Sequence, residues 1–354
     1  GFEADVSPAE ISGILHALRH KKQYYRMKNG AFLNIDDSLS SFDILNNLDF
    51  SPQEVKSGKK AVSKYNALYL SGLVSSGKIN SDSGFDGLID RIKNIRAEIP
   101  GYLENVLRDY QKIGVNWLKQ LSELGFGGIL ADDMGLGKTL EVIAFVMSEK
   151  PSLPTLVITP SSLTYNWLSE INRFAPSASA RIIDGTKEER ISALQSAGDC
   201  GFIITSYPLL RRDIQEYKQL NFAYCFIDEA QHIKNPKTQS AKSVKRINAG
   251  HYFALSGTPV ENSLTELWSI FDFIMPGYML SHAQFAERYE KPIARDNDEA
   301  ATEQLRRKIK PFILRRMKYD VLSELPEKIS FESYTAQQVR VHISRSSSFA
   351  ALFP

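Results

Sequence analysis

The 354-residue chain is long enough for about two domains; its 43% apolar and 24% charged content is ordinary globular composition, and a net charge of +2 decides nothing about nucleic acid because charge footprints are local. No run approaches the roughly 18 apolar residues of a bilayer span, so no membrane partner is expected, and the opening Gly1-Phe2-Glu3-Ala4-Asp5 is not a secretory signal. Two cysteines, Cys200 and Cys225, are too few for a disulfide framework or a zinc site and fit a reducing, cytoplasmic setting.

The missing initiator Met makes an excised fragment or a processed chain the expectation. The first hundred residues read as a mixed region. Extended runs at 22–27 and 31–35 flank Lys28-Asn29-Gly30, and Asn-Gly supplies the positive φ angles of a tight turn. Helical patterns cover 8–19 and 85–97, with loop signals at 75–84 between. No chemistry is visible here, and a packing or accessory domain is the expectation.

From about Leu107 the grammar changes. Strands are expected at 128–131, 155–159, 181–183, 202–205, 224–228 and 252–256, with helices between them at 138–149, 162–174, 187–197 and 238–247. Repeated strand–helix–strand units imply a parallel sheet covered by helices, hence an α/β fold. Ligands of such sheets bind beyond the carboxyl ends of the strands.

Three motifs fall at those ends. Asp132-Asp133-Met134-Gly135-Leu136-Gly137-Lys138-Thr139 follows the first strand and opens a helix. Backbone N–H groups at such a helix start can cradle phosphates, with Lys138 reaching the β/γ-phosphates and Thr139 binding Mg²⁺. Asp132 stands where the general phosphate loop has Gly. Asp228-Glu229-Ala230-Gln231-His232, a DEAQ box, follows the apolar run Tyr224-Cys225-Phe226-Ile227. Asp228 can hold the Mg²⁺ shell and Glu229 can polarise the attacking water. A lone Asp-Glu after an apolar run is usually a strand cap; its place downstream of a phosphate loop gives it the functional reading. His232 has no Cys or His at ligand spacing, so a coupling or packing role is expected for it and for Gln231 rather than metal binding. Ser256-Gly257-Thr258-Pro259 is a turn by itself, and in series with the other two it reads as a switch that senses nucleotide state.

Beyond Met275-Pro276-Gly277 the strand pattern stops; helices are expected at 281–289 and 299–309. The run Arg306, Arg307, Lys308, Lys310, Arg315, Arg316, Lys318 holds no acid, which for a charge run usually means a solvated face. Residues 339–354 read as a tail.

In this order the motifs resemble the sucrose-non-fermenting (SWI/SNF-type) family of superfamily-two helicase-like ATPases, which includes the chromatin remodellers. Leu107-Arg108-Asp109-Tyr110-Gln111 with Gly114 and Trp117-Leu118 is similar to the family's adenine-side motif, and the Gln111 amide can pair with adenine's N6 and N7 edge. The stretch 156–160 with Asn166-Trp167 and Glu170, then Thr205-Ser206-Tyr207, resembles its DNA-side elements. Thr258-Pro259-Val260-Glu261-Asn262-Ser263 with Glu266-Leu267-Trp268, and 312–316 followed by Leu325-Pro326-Glu327-Lys328, are further matches. The resemblance covers about 103–330; residues 10–100 resemble weakly the helicase-associated region of bacterial members, through Tyr24-Tyr25-Arg26 and Gly30-Ala31-Phe32-Leu33.

The resemblance implies a RecA-like P-loop lobe with ATP and Mg²⁺ as cofactors and ATP-driven translocation on double-stranded DNA. Its binding would be sequence-tolerant and salt-sensitive. It implies ATP contacts at Gln111, Asp133, Met134, Gly135, Leu136, Gly137, Lys138 and Thr139, coupling through Gln231, His232, Ser256, Gly257 and Thr258, and DNA contacts at Pro160, Trp167, Thr205, Ser206, Asn262, Arg315 and Arg316. The basic run could equally brace the hinge between lobes. The implied organisation is an accessory domain at 1–100, a RecA-like lobe at 101–275, a helical extension at 276–335 and a tail at 336–354. The family motor has a second RecA-like lobe that supplies transition-state arginines. Only 26 residues follow Lys328, so that lobe is expected to be missing here, with a truncated or frame-shifted end and poor hydrolysis by this chain alone. A stand-alone nucleotide-sensing or protein-docking module is the alternative, and a small-molecule P-loop enzyme is disfavoured by the adenine-side motif. The target, a stalled polymerase, another DNA-bound protein or a defence-system component, stays open, and the implied location is the cytoplasm, at the nucleoid.

Overall fold

A computed structural model describes residues 79–198, 200–257 and 263–321, and before them 10–11, 13–14, 17, 24–34, 52–57, 59, 67–75 and 77. Thr258, Asn262, the motif at 325–328, the tail at 339–354 and most of the expected helix at 8–19 lie outside the described residues. The chain forms two compact units, Gly1–Ile89 and Asp90–Pro354.

In the first unit, β1 (Tyr24–Arg26) and β2 (Phe32–Asn34) pair antiparallel, Tyr25 opposite Leu33. The turn between them follows its sequence in part: Gly30 takes φ +87°, while Asn29 keeps a negative φ and contributes through its side chain, which accepts from Ala31 N at 3.0 Å. Glu10 accepts from Lys28 N at 2.9 Å, which ties the turn to the preceding helical segment. Helices α1 (Pro52–Ser57) and α2 (Ala67–Ser75) follow, and α3 (Ser83–Asn94) spans the boundary between the units.

The second unit is built on a seven-stranded sheet whose paired strands all run parallel. Its strands are β3 (Gly128–Leu130), β4 (Thr155–Thr159), β5 (Ala180–Ile182), β6 (Phe202–Ser206), β7 (Asn221–Ile227), β8 (Asn248–Leu255) and β9 (Ile313–Leu314), in the order β5-β6-β4-β7-β8-β3-β9. The expected α/β fold is therefore present. β4 and β6 are buried along their whole length, which explains why both read as apolar runs rather than as alternation.

Helices α4 (Asp109–Glu123), α5 (Lys138–Glu149) and α6 (Thr164–Phe174) pack in succession, α4 on α5 and α5 on α6. Phe145 of α5 meets Tyr224, Phe226 and Phe253 edge-on at 4.9–6.3 Å, and Phe226 stacks on Phe253 at 5.2 Å. These rings join the helix layer to β7 and β8. Further along, α7 (Lys187–Gln195) and α8 (Gln239–Val244) start at Thr186 and Thr238, whose side chains accept from the third helical N–H. Ser263 and Asp298 cap α9 (Leu264–Ile274) and α10 (Glu299–Ile309) in the same way.

One expectation fails. The region after Met275 is not strandless, because Ile313 and Leu314 pair parallel with Ile129 and Leu130 and place β9 at the sheet edge beside β3. Two residues carry no period, so nothing local announces this strand; it exists because β3 offers it a partner.

Where β3 begins, backbones crowd together. A Cβ placed on Gly127 would lie 2.3 Å from the Tyr252 carbonyl oxygen and 2.4 Å from that of Ile274. Neither can move without shifting β8 or the end of α9. Gly127→Ala is expected to lower the unfolding free energy by about 1–3 kcal/mol, read by urea titration.

Candidate nucleotide-binding site

The turn from β3 into α5 is built by two glycines. Gly135 and Gly137 take φ +86° and +87°, a conformation that costs an L side chain about 1–2 kcal/mol. The helix start they create presents its first N–H groups outward. Lys138 Nζ donates to the carbonyl oxygens of Asp132 at 2.7 Å and Asp133 at 3.4 Å. Burial pushes this ammonium below the ordinary lysine range, opposed by the nearby charges of Asp132, Glu229, Asp228 and Asp133. The ammonium is thus half-buried, with its hydrogen bonds going to two backbone carbonyls of the loop.

The adenine-side residues reach the same loop. Gln111 Nε2 and Tyr110 Oη both donate to the Leu136 carbonyl, at 3.0 and 2.9 Å, and Gln111 Oε1 accepts from Arg108 N at 2.9 Å. A Cβ on Gly137 would meet Gln111 Nε2 at 2.4 Å, so the loop needs glycine here for space as well as for φ.

Asp228 stands just past the end of β7 and is nearly buried. Its Oδ2 accepts from Trp167 Nε1 at 2.8 Å and Thr159 Oγ1 at 3.2 Å, and its Oδ1 accepts from Glu229 N at 2.9 Å. Tyr207 donates to its backbone oxygen at 2.7 Å. Burial pushes the Asp228 carboxyl above the usual carboxylate range; Glu229 adds to this, while the bonds from Trp167, Thr159 and Glu229 N oppose it. Glu229 is held at φ +52°, a left-handed conformation for a non-glycine residue. Gln231 Nε2 donates to Glu229 Oε2 at 2.6 Å, and His232 stacks on Tyr207 at 4.9 Å. The third motif meets the first: Ser256 N donates to the Leu130 carbonyl at 3.1 Å, and a Cβ on Gly257 would lie 2.9 Å from Met134 Cγ.

Among the described residues no group of three or more His, Cys, Asp and Glu could hold a metal by itself. Mg²⁺ typically takes one or two carboxylates and completes its shell with water and phosphate oxygens. The Asp228 carboxylate, the Thr139 hydroxyl at the start of α5 and the glycine cradle fit that donor set.

Several residues expected at a DNA surface are buried instead. Trp167 is 1% exposed, Thr205 0% and Ser206 2%, and Trp167 spends its one donor on Asp228. Arg316 also points inward: its guanidinium pairs with Asp132 and Glu141, both of which are fully buried. Within this lobe the side chains of these four residues face inward. Pro160 ends β4 half-buried, and Arg315 is half-buried beside Arg316.

The pairing of Arg316 explains the departure at Asp132, since a glycine there could not have answered a buried guanidinium. Sequence reasoning missed Glu141, and read Thr159 and Tyr207 only as parts of DNA-side motifs, not as partners of Asp228. A signal for Glu141 existed: it interrupts the apolar face of α5, between Leu140 and Val142.

The fold and these contacts define a P-loop α/β lobe whose sheet edge gathers a phosphate loop and a carboxylate pair. The SNF2-related domain family matches residues 110–338, and the bacterial SNF2 helicase-associated family matches residues 2–100. The chain belongs to the SNF2 family of ATPases. It is 38% identical over 273 residues to the TATA-binding protein-associated factor MOT1 of Saccharomyces cerevisiae, covering 70% of this chain and 15% of that one. It is 42% identical over 240 residues to the putative ATP-dependent helicase/translocase YwqA of Bacillus subtilis, covering 65% of this chain and 26% of that one. The Sulfolobus solfataricus SWI2/SNF2 ATPase core in complex with dsDNA superposes with a TM-score of 0.58 at 41% identity, covering 62% of this chain and 47% of that core. The chain thus spans a minor part of these relatives. Among the described residues, no helix is long and apolar enough to cross a membrane.

Two buried carboxyls face one guanidinium in this site. Burial pushes Glu141 up to about 8 from its ordinary 4.5, against the Arg316 charge and with Asp132 adding. Arg316, Asp132, Lys138 and Tyr110 are the charged or titratable groups that act on it. Between those two values the folded chain keeps a proton that the unfolded chain releases. The stability Glu141 contributes is therefore complete below its unfolded pKa and is lost as pH rises through about 8. Glu141→Gln keeps an acceptor and removes the titration. Its thermal midpoint relative to the parent is expected to climb from about pH 5 to about pH 9. A difference that stays constant across that range would mean Glu141 is ionised throughout.

Proposed function

We propose that this chain is the ATP-binding lobe of an ATP-dependent translocase on double-stranded DNA, acting at the nucleoid in the cytoplasm. The observation that carries the reading is the placing of the glycine loop after β3 and of Asp228 and Glu229 after β7 at the carboxyl ends of one parallel sheet, with only β8 between them. Gly135, Gly137 and the first N–H groups of α5 would take the phosphates, Lys138 the β/γ end, and Gln111 the adenine edge. Thr139 and Asp228 would hold Mg²⁺, which supplies charge neutralisation on the phosphate oxygens. Glu229 would orient the attacking water, and its hydrogen bond from Gln231 would pass its state toward His232 and Gly257. Double-stranded DNA as partner is supported by the relative solved in complex with dsDNA.

In this reading a second RecA-like lobe closes the ATP cleft and brings the transition-state arginines. This chain alone then binds ATP and turns it over slowly. Lys138→Ala is expected to weaken binding of a fluorescent ATP analogue by at least about tenfold. Duplex DNA is expected to leave the slow turnover of this chain nearly unchanged, and to stimulate it when the chain is fused to a second lobe. Fast DNA-stimulated turnover by the isolated chain, abolished in Lys138→Ala, would overturn the need for that lobe. Absence of any ATP binding would overturn the whole assignment and favour a docking module.

A further inference from the structure

Arg316 touches three segments of the candidate nucleotide site: the loop entry at Asp132, α5 at Glu141 and α4 at Tyr110. Its Nε lies 3.0 Å from each Asp132 carboxylate oxygen, at the entry to the phosphate loop. Its Nη2 donates to Asp132 as well, and to both Glu141 oxygens at 2.8 Å, on the first turn of α5. Its Nη1 donates to the Tyr110 carbonyl, and the guanidinium lies 5.1 Å from the centre of the Tyr110 ring, on the adenine-side helix α4.

The backbone around Arg316 reinforces this. Ala131 N donates to the Leu314 carbonyl at 2.7 Å, Asp133 N to the Arg316 carbonyl at 3.1 Å, and Lys318 N to Asp133 Oδ2 at 3.0 Å. The chain after β9 therefore runs alongside the phosphate loop from its first residue. A Cβ on Gly135 would lie 3.5 Å from Lys318 Nζ, so this strap also covers the loop.

We propose that Arg316 is a positioning residue of the nucleotide site: it sets the register between the adenine-side helix and the phosphate loop, so that one nucleotide can use both. The proposal rests on the ATP-binding reading above. Its geometry suits arginine, because the planar fork spreads five donors over three nitrogens that face Asp132, Tyr110 and Glu141, whereas a lysine ammonium carries its three donors on a single atom. A purely structural ion pair would hold the fold without distinguishing the two ends of the ligand.

The test compares ATP with inorganic triphosphate, which uses only the phosphate loop. Arg316→Lys keeps the charge that balances the two carboxylates, and is expected to fold. ATP is expected to bind the parent more tightly than triphosphate does, and that advantage is expected to shrink by at least about fivefold in Arg316→Lys. If both ligands keep their parental affinity, or weaken by the same factor, the proposal is wrong. Should Arg316→Lys fail to fold, the variant Arg316→Met with Asp132→Asn and Glu141→Gln removes the guanidinium and both ionisable carboxyls together, and the same ratio decides. If the parent binds no ATP at all, the functional reading fails separately. Amide exchange at residues 131–137 then decides the clamp: faster exchange in Arg316→Lys supports it and unchanged protection overturns it.

Discussion

Seven parallel strands end at one edge, and the rest of the site depends on that constraint. β4, β7, β8 and β3 are consecutive strands of the sheet, so their carboxyl ends lie in one row. Whatever follows those ends is forced into company: the phosphate loop after β3, Pro160 after β4, Asp228 and Glu229 after β7, Ser256 and Gly257 after β8. No polar side-chain contact between the motifs has to bring these strand ends together. Ladder hydrogen bonds and the buried aromatic layer from Phe145 to Phe253 do it. Side chains are then free for finer work.

That finer work is mostly the management of buried charge. Asp132, Glu141 and Asp228 all sit where an uncompensated carboxylate would be costly. Asp228 is compensated by donors: an indole N–H, a threonine hydroxyl and the next backbone N–H. Asp132 and Glu141 are compensated by one guanidinium supplied from far along the chain. With two acids to one base, one carboxyl must give way, and the deeply buried Glu141 is the one pushed up. A buried ion pair is weak evidence for stability, because desolvation offsets most of its attraction. Its value here is geometric: it fixes where the loop, α5 and α4 stand relative to one another.

Much of this was legible in the chain. The strand at Thr155–Thr159 and the helices at Lys138–Glu149 and Glu299–Ile309 coincide with the pattern of apolar residues, and the other expected strands of the central sheet agree to within a few positions. The Asn-Gly turn forms, with Gly30 at the positive φ its sequence implies. The illegible parts share a cause. β9 is two residues long and is defined by its partner. Trp167, Thr205, Ser206 and Arg316 carry side chains that read as surface contacts in a motif, yet burial is a property of the packed sheet. A tryptophan with one N–H to place can face solvent or a carboxylate, and only the position of β7 beside β4 decides which.

The sequence by itself determined most strands and helices of the central sheet, the turn glycines, and the placing of Gly135, Gly137, Asp228 and Glu229 at strand ends, because those follow from local backbone freedom and from the period of apolar residues. Tertiary structure alone decided who answers whom: Trp167 to Asp228 across 61 positions and Arg316 to Asp132 across 184. Such pairings leave no trace in spacing. They are selected by strand order and by the cost of leaving a buried charge unanswered, and both exist only once the chain has folded.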